Sequence, residues 1–236
     1  MSTRTQYEAD LAALKGSLAK MSQLSADAVE DALEALCTAD AEEAKGIIKG
    51  DTEVNRMERD IEHRCMTLLL RQQPVAGDLR FISAAMKVVT DVERIGDHAA
   101  DIAEIVPHLA GVRKAGDPAV SRSIEMGRKA HKMLQDAMSA FAAEDEAAAK
   151  AVIDFAAEDE AAAKAVIDAD DAVDYDFNTI KRMLAAEIAA DPGKVDAALD
   201  VLMVIKYLER IGDHAVNIAE WVEFLRTGRY HHEKMF

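Results

Sequence analysis

Apolar residues recur every three or four positions along nearly the whole chain. Between Tyr7 and Leu36 they fall at Leu11, Leu14, Leu18, Met21, Leu24, Val29, Leu33 and Leu36, the spacing of one buried helix face. TAD (38–40) breaks that pattern, and a second helix is predicted from Ala41 to Arg71 on Ile47, Val54, Met57, Ile61, Met66 and Leu68. QQPVAGD (72–78) reads as a turn, because Pro74 has no amide hydrogen for a helix interior and Gly77 relaxes the backbone. A third helix is expected over Leu79–Leu109, with Pro107 marking or bending its end. GVRKAGDP (111–118) then reads as a linker, with Asp117 as N-cap and Pro118 as first helical residue.

The second half repeats the plan. DALEAL (31–36) pairs with DAMSAF (136–141), and AKGII (44–48) resembles AKAVI at 149–153 and again at 163–167. ADPGK (190–194) takes the place of QQPVAGD as the second turn. The longest match is ERIGDHAADIAE from Glu93 against ERIGDHAVNIAE from Glu209, which differ only at Ala100/Val216 and Asp101/Asn217. These features predict an all-α fold of six helices, built as two tandem pseudo-repeated three-helix bundles over 1–112 and 117–236. Each unit, about a hundred residues, is long enough to bury a modest core.

The second unit also contains FAAEDEAAAKAVID twice, at 141–154 and at 155–168. Only one copy has a counterpart in the first unit, so fourteen residues are extra. Fourteen residues turn a helix through four turns less about 40°, which nearly preserves the buried face. A longer hairpin of the fourth and fifth helices is expected, or one helix lengthened at its end.

Composition agrees with a helical protein: 50% of residues are hydrophobic and 5% aromatic, with Ala, Leu, Met and Ile supplying the apolar share. The formal charge of −16 argues against a nucleic-acid backbone as partner. Cys37 and Cys65 have no metal-ligand spacing and suit a reducing compartment. No targeting segment or apolar run long enough to span a bilayer is present, so a soluble, cytoplasmic protein is expected.

Candidate chemistry lies in the repeated segment. On a helical wheel Glu93, Asp97, Asp101 and Glu104 fall within roughly 80° of one another, almost opposite Val88, Val92, Ile95, Ala99, Ile102 and Val106. Glu209, Asp213, Asn217 and Glu220 repeat the pattern. A solvated helix face is one reading. Like charges four residues apart repel by about a few tenths of a kcal/mol per pair, however, and only Arg94 stands at the margin of this stripe. The preceding helix carries Asp51, Asn55, Glu58 and Glu62 on one face, and two oxygen-rich faces on adjacent helices suit a hard cation, iron or manganese. In the second unit Asp170 and Asp174 match Asp51 and Asn55, but Phe177 and Lys181 replace Glu58 and Glu62. A weaker second site is expected.

Other residues read as structural. His98 and His214 are packing or hydrogen-bonding residues first and ligands second. Gly96 and Gly212 point to close helix–helix approach, and Trp221 to core or interface. Met66, Met86, Met126, Met133, Met138, Met183 and Met203 read as core fillers, and the adjacent histidines of the tail RYHHEKMF support no metal site. The sequence has no nucleophile–base pair, glycine-rich phosphate loop or basic phosphate pocket, so catalysis is not expected.

Over nearly the whole chain the sequence resembles the PhoU family, the accessory regulators of bacterial phosphate-specific transport. The resemblance is carried by the two ERIGDHA segments, by Glu93-x-x-x-Asp97 and Glu209-x-x-x-Asp213, and by Asp51-x-x-x-Asn55 and Asp170-x-x-x-Asp174. GDLR (77–80) after QQP resembles the family's second turn. Asn55 departs from the family's acidic pattern. The resemblance implies a cytoplasmic, non-enzymatic negative regulator of the phosphate-starvation response, often a homodimer. It implies partners in the ATPase subunit of the phosphate transporter and in a sensor histidine kinase, with the membrane reached only through them. No cofactor is required for that role, although some members hold an iron cluster on their acidic surfaces. Two alternatives remain at this stage: a metal-independent helical adaptor, and a carboxylate-bridged storage or oxidase protein. The latter would need Glu-x-x-His pairs inside a four-helix bundle, and the sequence has none.

Overall fold

The structure, a computed structural model, describes residues 3–113, 116–149, 156–230 and 233–234. Its helices are α1 (Thr3–Thr38), α2 (Ala41–Gln72), α3 (Ala76–Leu109), α4 (Pro118–Ala149), α5 (Ala156–Ala190) and α6 (Val195–Thr227). A 3₁₀ turn, Pro192–Lys194, precedes α6, and a two-residue antiparallel ladder joins β1 (Arg229–Tyr230) to β2 (Glu233–Lys234). The fold is all-α, as the apolar periodicity predicts. The small ladder was not expected; two residues per strand are too few to leave an alternating pattern. The tail histidines 231 and 232 lie outside the described residues.

Local chemistry sets the helix ends. Asp40 caps α2 by accepting from the amides of Glu42 and Glu43 at 2.8 and 3.1 Å. Asp117 does the same for α4, accepting from Ala119 and Val120 at 2.9 and 3.3 Å. Gln73 closes α2 in the left-handed conformation, with φ +46°. α3 starts three residues earlier than predicted, because Gly77 and Asp78 belong to its first turn. An acidic side chain there favours the helix over a loop. Pro107 sits in the last turn of α3.

α1, α2 and α3 pack on one another, as do α4, α5 and α6; α3 also packs along α6, and α1 crosses α4. One continuous apolar core runs through both sets. At the α1–α4 crossing a Cβ on Gly127 would lie 2.3 Å from Leu33 Cδ2, so that position is restricted to glycine unless Leu33 moves. Trp221 is buried edge-on against Phe224, with ring centroids 5.2 Å apart. Two of the expected core methionines are not in the core: Met66 and Met203 are 45% and 44% exposed. Each lies about 100° around its helix from a buried neighbour, Cys65 or Val204, which turns it to the outer surface.

The duplicated segment occupies the end of α4 and the start of α5. Aligned on DALEAL and DAMSAF, α4 runs six residues further than α1. Aligned on Asp51 and Asp170, α5 begins four residues earlier than α2. Both helices are thus lengthened, and residues 150–155 between them lie outside the described residues. Among the described residues no helix is long and apolar enough to cross a membrane.

Candidate functional site

Two glycines set the geometry of the acidic faces. A Cβ on Gly96 would meet Val54 Cγ1 at 3.2 Å, Asp51 Oδ1 at 3.4 Å and Ser25 Oγ at 3.4 Å. α2 therefore lies directly against α3 at the repeated segment, and Asp51 points across to it. Gly212 repeats the arrangement, with Asp170 Oδ1 and Val173 Cγ1 each 3.5 Å from its would-be Cβ. Ser25 ties α1 in by donating to the Val92 carbonyl at 3.0 Å. The close approach expected of these glycines is what the structure contains.

Packing this tight removes the carboxylates from bulk water. The side chains of Glu93 and Asp97 are 13% and 28% exposed, so this is not a fully solvated face. Burial raises the Glu93 carboxyl to about 7, and the charges of Asp97 and Glu58 add to the effect. Asp51 is raised by burial and by Asp97, and Glu58 by burial and by Glu62. Asn55 Nδ2 donates to Asp51 Oδ2 at 2.6 Å, which offsets part of that repulsion. Arg94 reaches Asp97 at 2.9 Å and lies 3.4 Å from Glu93 Oε2. Asp51 Oδ1, Asn55 Oδ1 and Glu93 Oε2 are buried without a hydrogen-bond partner.

In the second unit burial and the charges of Asp174 and Asp213 raise Asp170 to about 6. Asp213 is raised by burial and by Glu209. Here a cation is built in. Lys206 pairs with Glu209, and Lys206 and Lys181 lie 5.5 and 5.2 Å from the centre of the Phe177 ring. Lys181, which stands where the first unit has Glu62, makes no ion pair with these carboxylates among the described residues and lies over Phe177 instead. Lys206 was missed, although its i,i+3 spacing to Glu209 was visible; its counterpart on α3 is Thr90.

The predicted residues thus gather as Asp51, Asn55, Glu58, Glu93 and Asp97 between α2 and α3, and as Asp170, Asp174, Glu209 and Asp213 between α5 and α6. Asp101 stands at the margin of the first group, its charge adding to the rise of Asp51. The Asp101 carboxylate lies 3.3 Å from His98 Nδ1 at the seam between α3 and α6. In that seam the His98 and His214 rings are 5.7 Å apart and His98 stacks on Tyr207. His214 Nδ1 is 2.8 Å from Asp91 Oδ1, and Asn217 donates to the same oxygen at 3.1 Å. The histidines are hydrogen-bonding residues, as the wheel suggests. Asp91 was missed, because its role depends on a helix 123 residues away.

Buried oxygens that accept no hydrogen bond, as Asp51 Oδ1, Asn55 Oδ1 and Glu93 Oε2 do here, are the kind a hard cation takes, although Glu93 Oε2 already has Arg94 at 3.4 Å. Asp51, Asn55 and Glu93, with Glu58 and Asp97 beside them, have the right chemistry for one. As the side chains stand, no group of three or more His, Cys, Asp or Glu among the described residues is closed into a metal-ligand set.

The PhoU domain model matches residues 18–106 and 155–222, the stretches that hold both acidic faces. The chain is 36% identical over 228 residues to a phosphate-specific transport system accessory protein PhoU homolog of Clostridium acetobutylicum, covering 96% of this chain and 97% of that one. The corresponding homolog of Pseudomonas aeruginosa is 35% identical, over 94% of this chain and 86% of its own. The crystal structure of PhoU from Pseudomonas aeruginosa superposes with a TM-score of 0.84 at 34% identity, covering 94% of this chain and all of that one. The phosphate transport system regulatory protein PhoU from Streptococcus pneumoniae gives 0.76 at 28% identity, covering 94% and 98%. The repeated acidic helix faces and these near-full-length matches agree: the chain belongs to the PhoU family.

Proposed function

We propose that this protein is a non-catalytic regulator of phosphate transport. It couples the ATPase subunit of the phosphate transporter to a sensor histidine kinase on the cytoplasmic side and restrains the phosphate-starvation response when phosphate is plentiful. The observation that carries this reading is the near-full-length match to accessory proteins of phosphate-specific transport. The geometry supports it in two ways. Asp97 and Glu58 stay partly exposed along their helix faces, where a partner surface can reach them. The first-unit face holds more negative charge than its surroundings compensate, so a basic partner or a cation gains by binding there. A bound iron or manganese ion would supply charge compensation; Asp51, Asn55, Glu58, Glu93 and Asp97 are the residues to hold it.

The test is complementation. In a bacterium that lacks its own PhoU and carries a starvation-promoter reporter, the chain is expected to restore repression in phosphate-rich medium. Constitutive reporter activity at normal protein levels would overturn the reading. A metal-independent adaptor is the second reading, favoured by the ion pairs of Arg94 and Lys206 on the two faces. It requires partner binding to survive replacement of Glu93, Asp97, Glu209 and Asp213 by alanine.

A further inference from the structure

One face of α6 changes character along its length. Val195, Leu199 and Met203 are 37%, 49% and 44% exposed, and their i, i+4, i+8 spacing keeps them within about 80° of one another. Lys206 follows on the same face, and then Glu209 and Asp213. The matching positions of α3 are Leu79, Ser83, Lys87, Thr90, Glu93 and Asp97. The repeat therefore carries polar side chains at 83 and 87 where α6 shows Leu199 and Met203. α5 makes a parallel change, with Phe177 and Lys181 where α2 has Glu58 and Glu62.

These differences act together because the residues adjoin. Lys206 of α6 and Lys181 of α5 both lie over the Phe177 ring. Lys206 is already paired with Glu209, whereas Lys181 has no carboxylate within ion-pair distance among the described residues. The face thus runs from an apolar ridge, through a basic spot, to the acidic cluster. A ridge of apolar side chains at helical spacing is complementary to the grooves of another helix. The ammonium at its end, on a chain of net charge −16, selects an anionic group and sets a direction.

We propose that this α5–α6 face docks an amphipathic helix of a partner protein. The helix seats its apolar stripe on Val195, Leu199 and Met203 and a carboxylate on Lys181. The proposal rests on the reading that the chain works through partner proteins, and it assigns that work to the second unit. The first unit, which keeps Glu58 and Glu62, is left as the charge-bearing face.

Binding of the full chain to two purified probes tests the proposal: the ATPase subunit of the phosphate transporter and the full-length sensor kinase in detergent. Leu199→Asp with Met203→Asp is expected to weaken binding to one of them at least tenfold. Lys181→Glu is expected to weaken the same complex about fivefold or more. Lys87→Asp, at the α3 position matching Met203, is expected to leave it unchanged. The replaced side chains are exposed, and circular dichroism and melting temperature are expected to match the parent. Parent-like affinity of the double variant for both probes overturns the docking face while leaving the regulator reading intact. Failure of the parent to bind either probe overturns the regulator reading, and this proposal falls with it. If the parent sediments as a dimer that the double variant turns into a monomer, the ridge contacts a second copy and the partner-helix proposal is wrong.

Discussion

Asn217 donates its side-chain amide to Asp91 Oδ1 at 3.1 Å, across the seam where α3 and α6 run side by side. This contact accounts for one of the two differences between the twelve-residue repeats. Position 101 is aspartate because its carboxylate faces His98; position 217 is asparagine because it faces a carboxylate that His214 also contacts.

Asn217→Asp is therefore expected to destabilise the protein by about 1–3 kcal/mol, since two carboxylates would meet in a half-buried seam. Adding Asp91→Asn is expected to restore much of the loss. Urea denaturation of both single variants and the double variant gives the coupling, and purely additive losses would show that the contact does not act as a pair.

Glu93 makes stability depend on pH. Its carboxyl is raised to about 7, above the usual 4.5, so the folded state holds the proton more tightly than the unfolded chain. Stability from this group is present at low pH and declines as pH rises from about 4.5 to about 7. Glu93→Gln cannot ionise and is expected to raise the melting temperature at pH 8 by on the order of 2–4 °C, with a smaller gain at pH 5. A gain of equal size at both pH values would rule out the ionised carboxylate as the cause.

The two acidic faces are expected to differ toward metal. Lys206 pairs with Glu209 in the second unit, while three buried oxygens of the first unit have no hydrogen-bond partner. In equilibrium dialysis against manganese(II), Glu93→Ala with Asp97→Ala is expected to remove most bound ion. Glu209→Ala with Asp213→Ala should remove little. Equal losses from both variants would contradict the asymmetry.

Gly127 and Gly46 are expected to respond in opposite directions. Gly127→Ala forces Leu33 aside and is expected to cost about 1–3 kcal/mol. A Cβ on Gly46 would meet nothing within 4 Å, so Gly46→Ala in α2 is expected to stabilise by up to about 1 kcal/mol. Chemical denaturation of the two variants checks both signs.

Much of this was legible in the sequence because it depends on short-range spacing. Apolar residues at three- and four-residue steps mark the helices, Asp117-Pro118 marks the start of α4, and Glu93 and Asp97 necessarily share a face. The convergence of Asp51 on that face was also inferable, since Gly96 signals close packing. What could not be read depends on register between helices distant in the chain. Asp91 meets His214 only once α3 lies antiparallel to α6. Met66 and Met203 sit at helical spacing like their buried counterparts, and only the packing shows that each faces the outer surface, nearly half exposed. The early start of α3 turned on Gly77, a residue that fits a turn and a first helical turn equally well.

The shared core has a consequence for how such a chain can change. α3 and α6 cover one another, and the apolar side chains of both units form a single body. Neither half could be lost without exposing the central helix of the other. Yet each half carries its own outward face, which can change without disturbing the interior. The molecule is in effect a heterodimer written as one polypeptide: inheritance binds the halves together, and their surfaces are free to specialise.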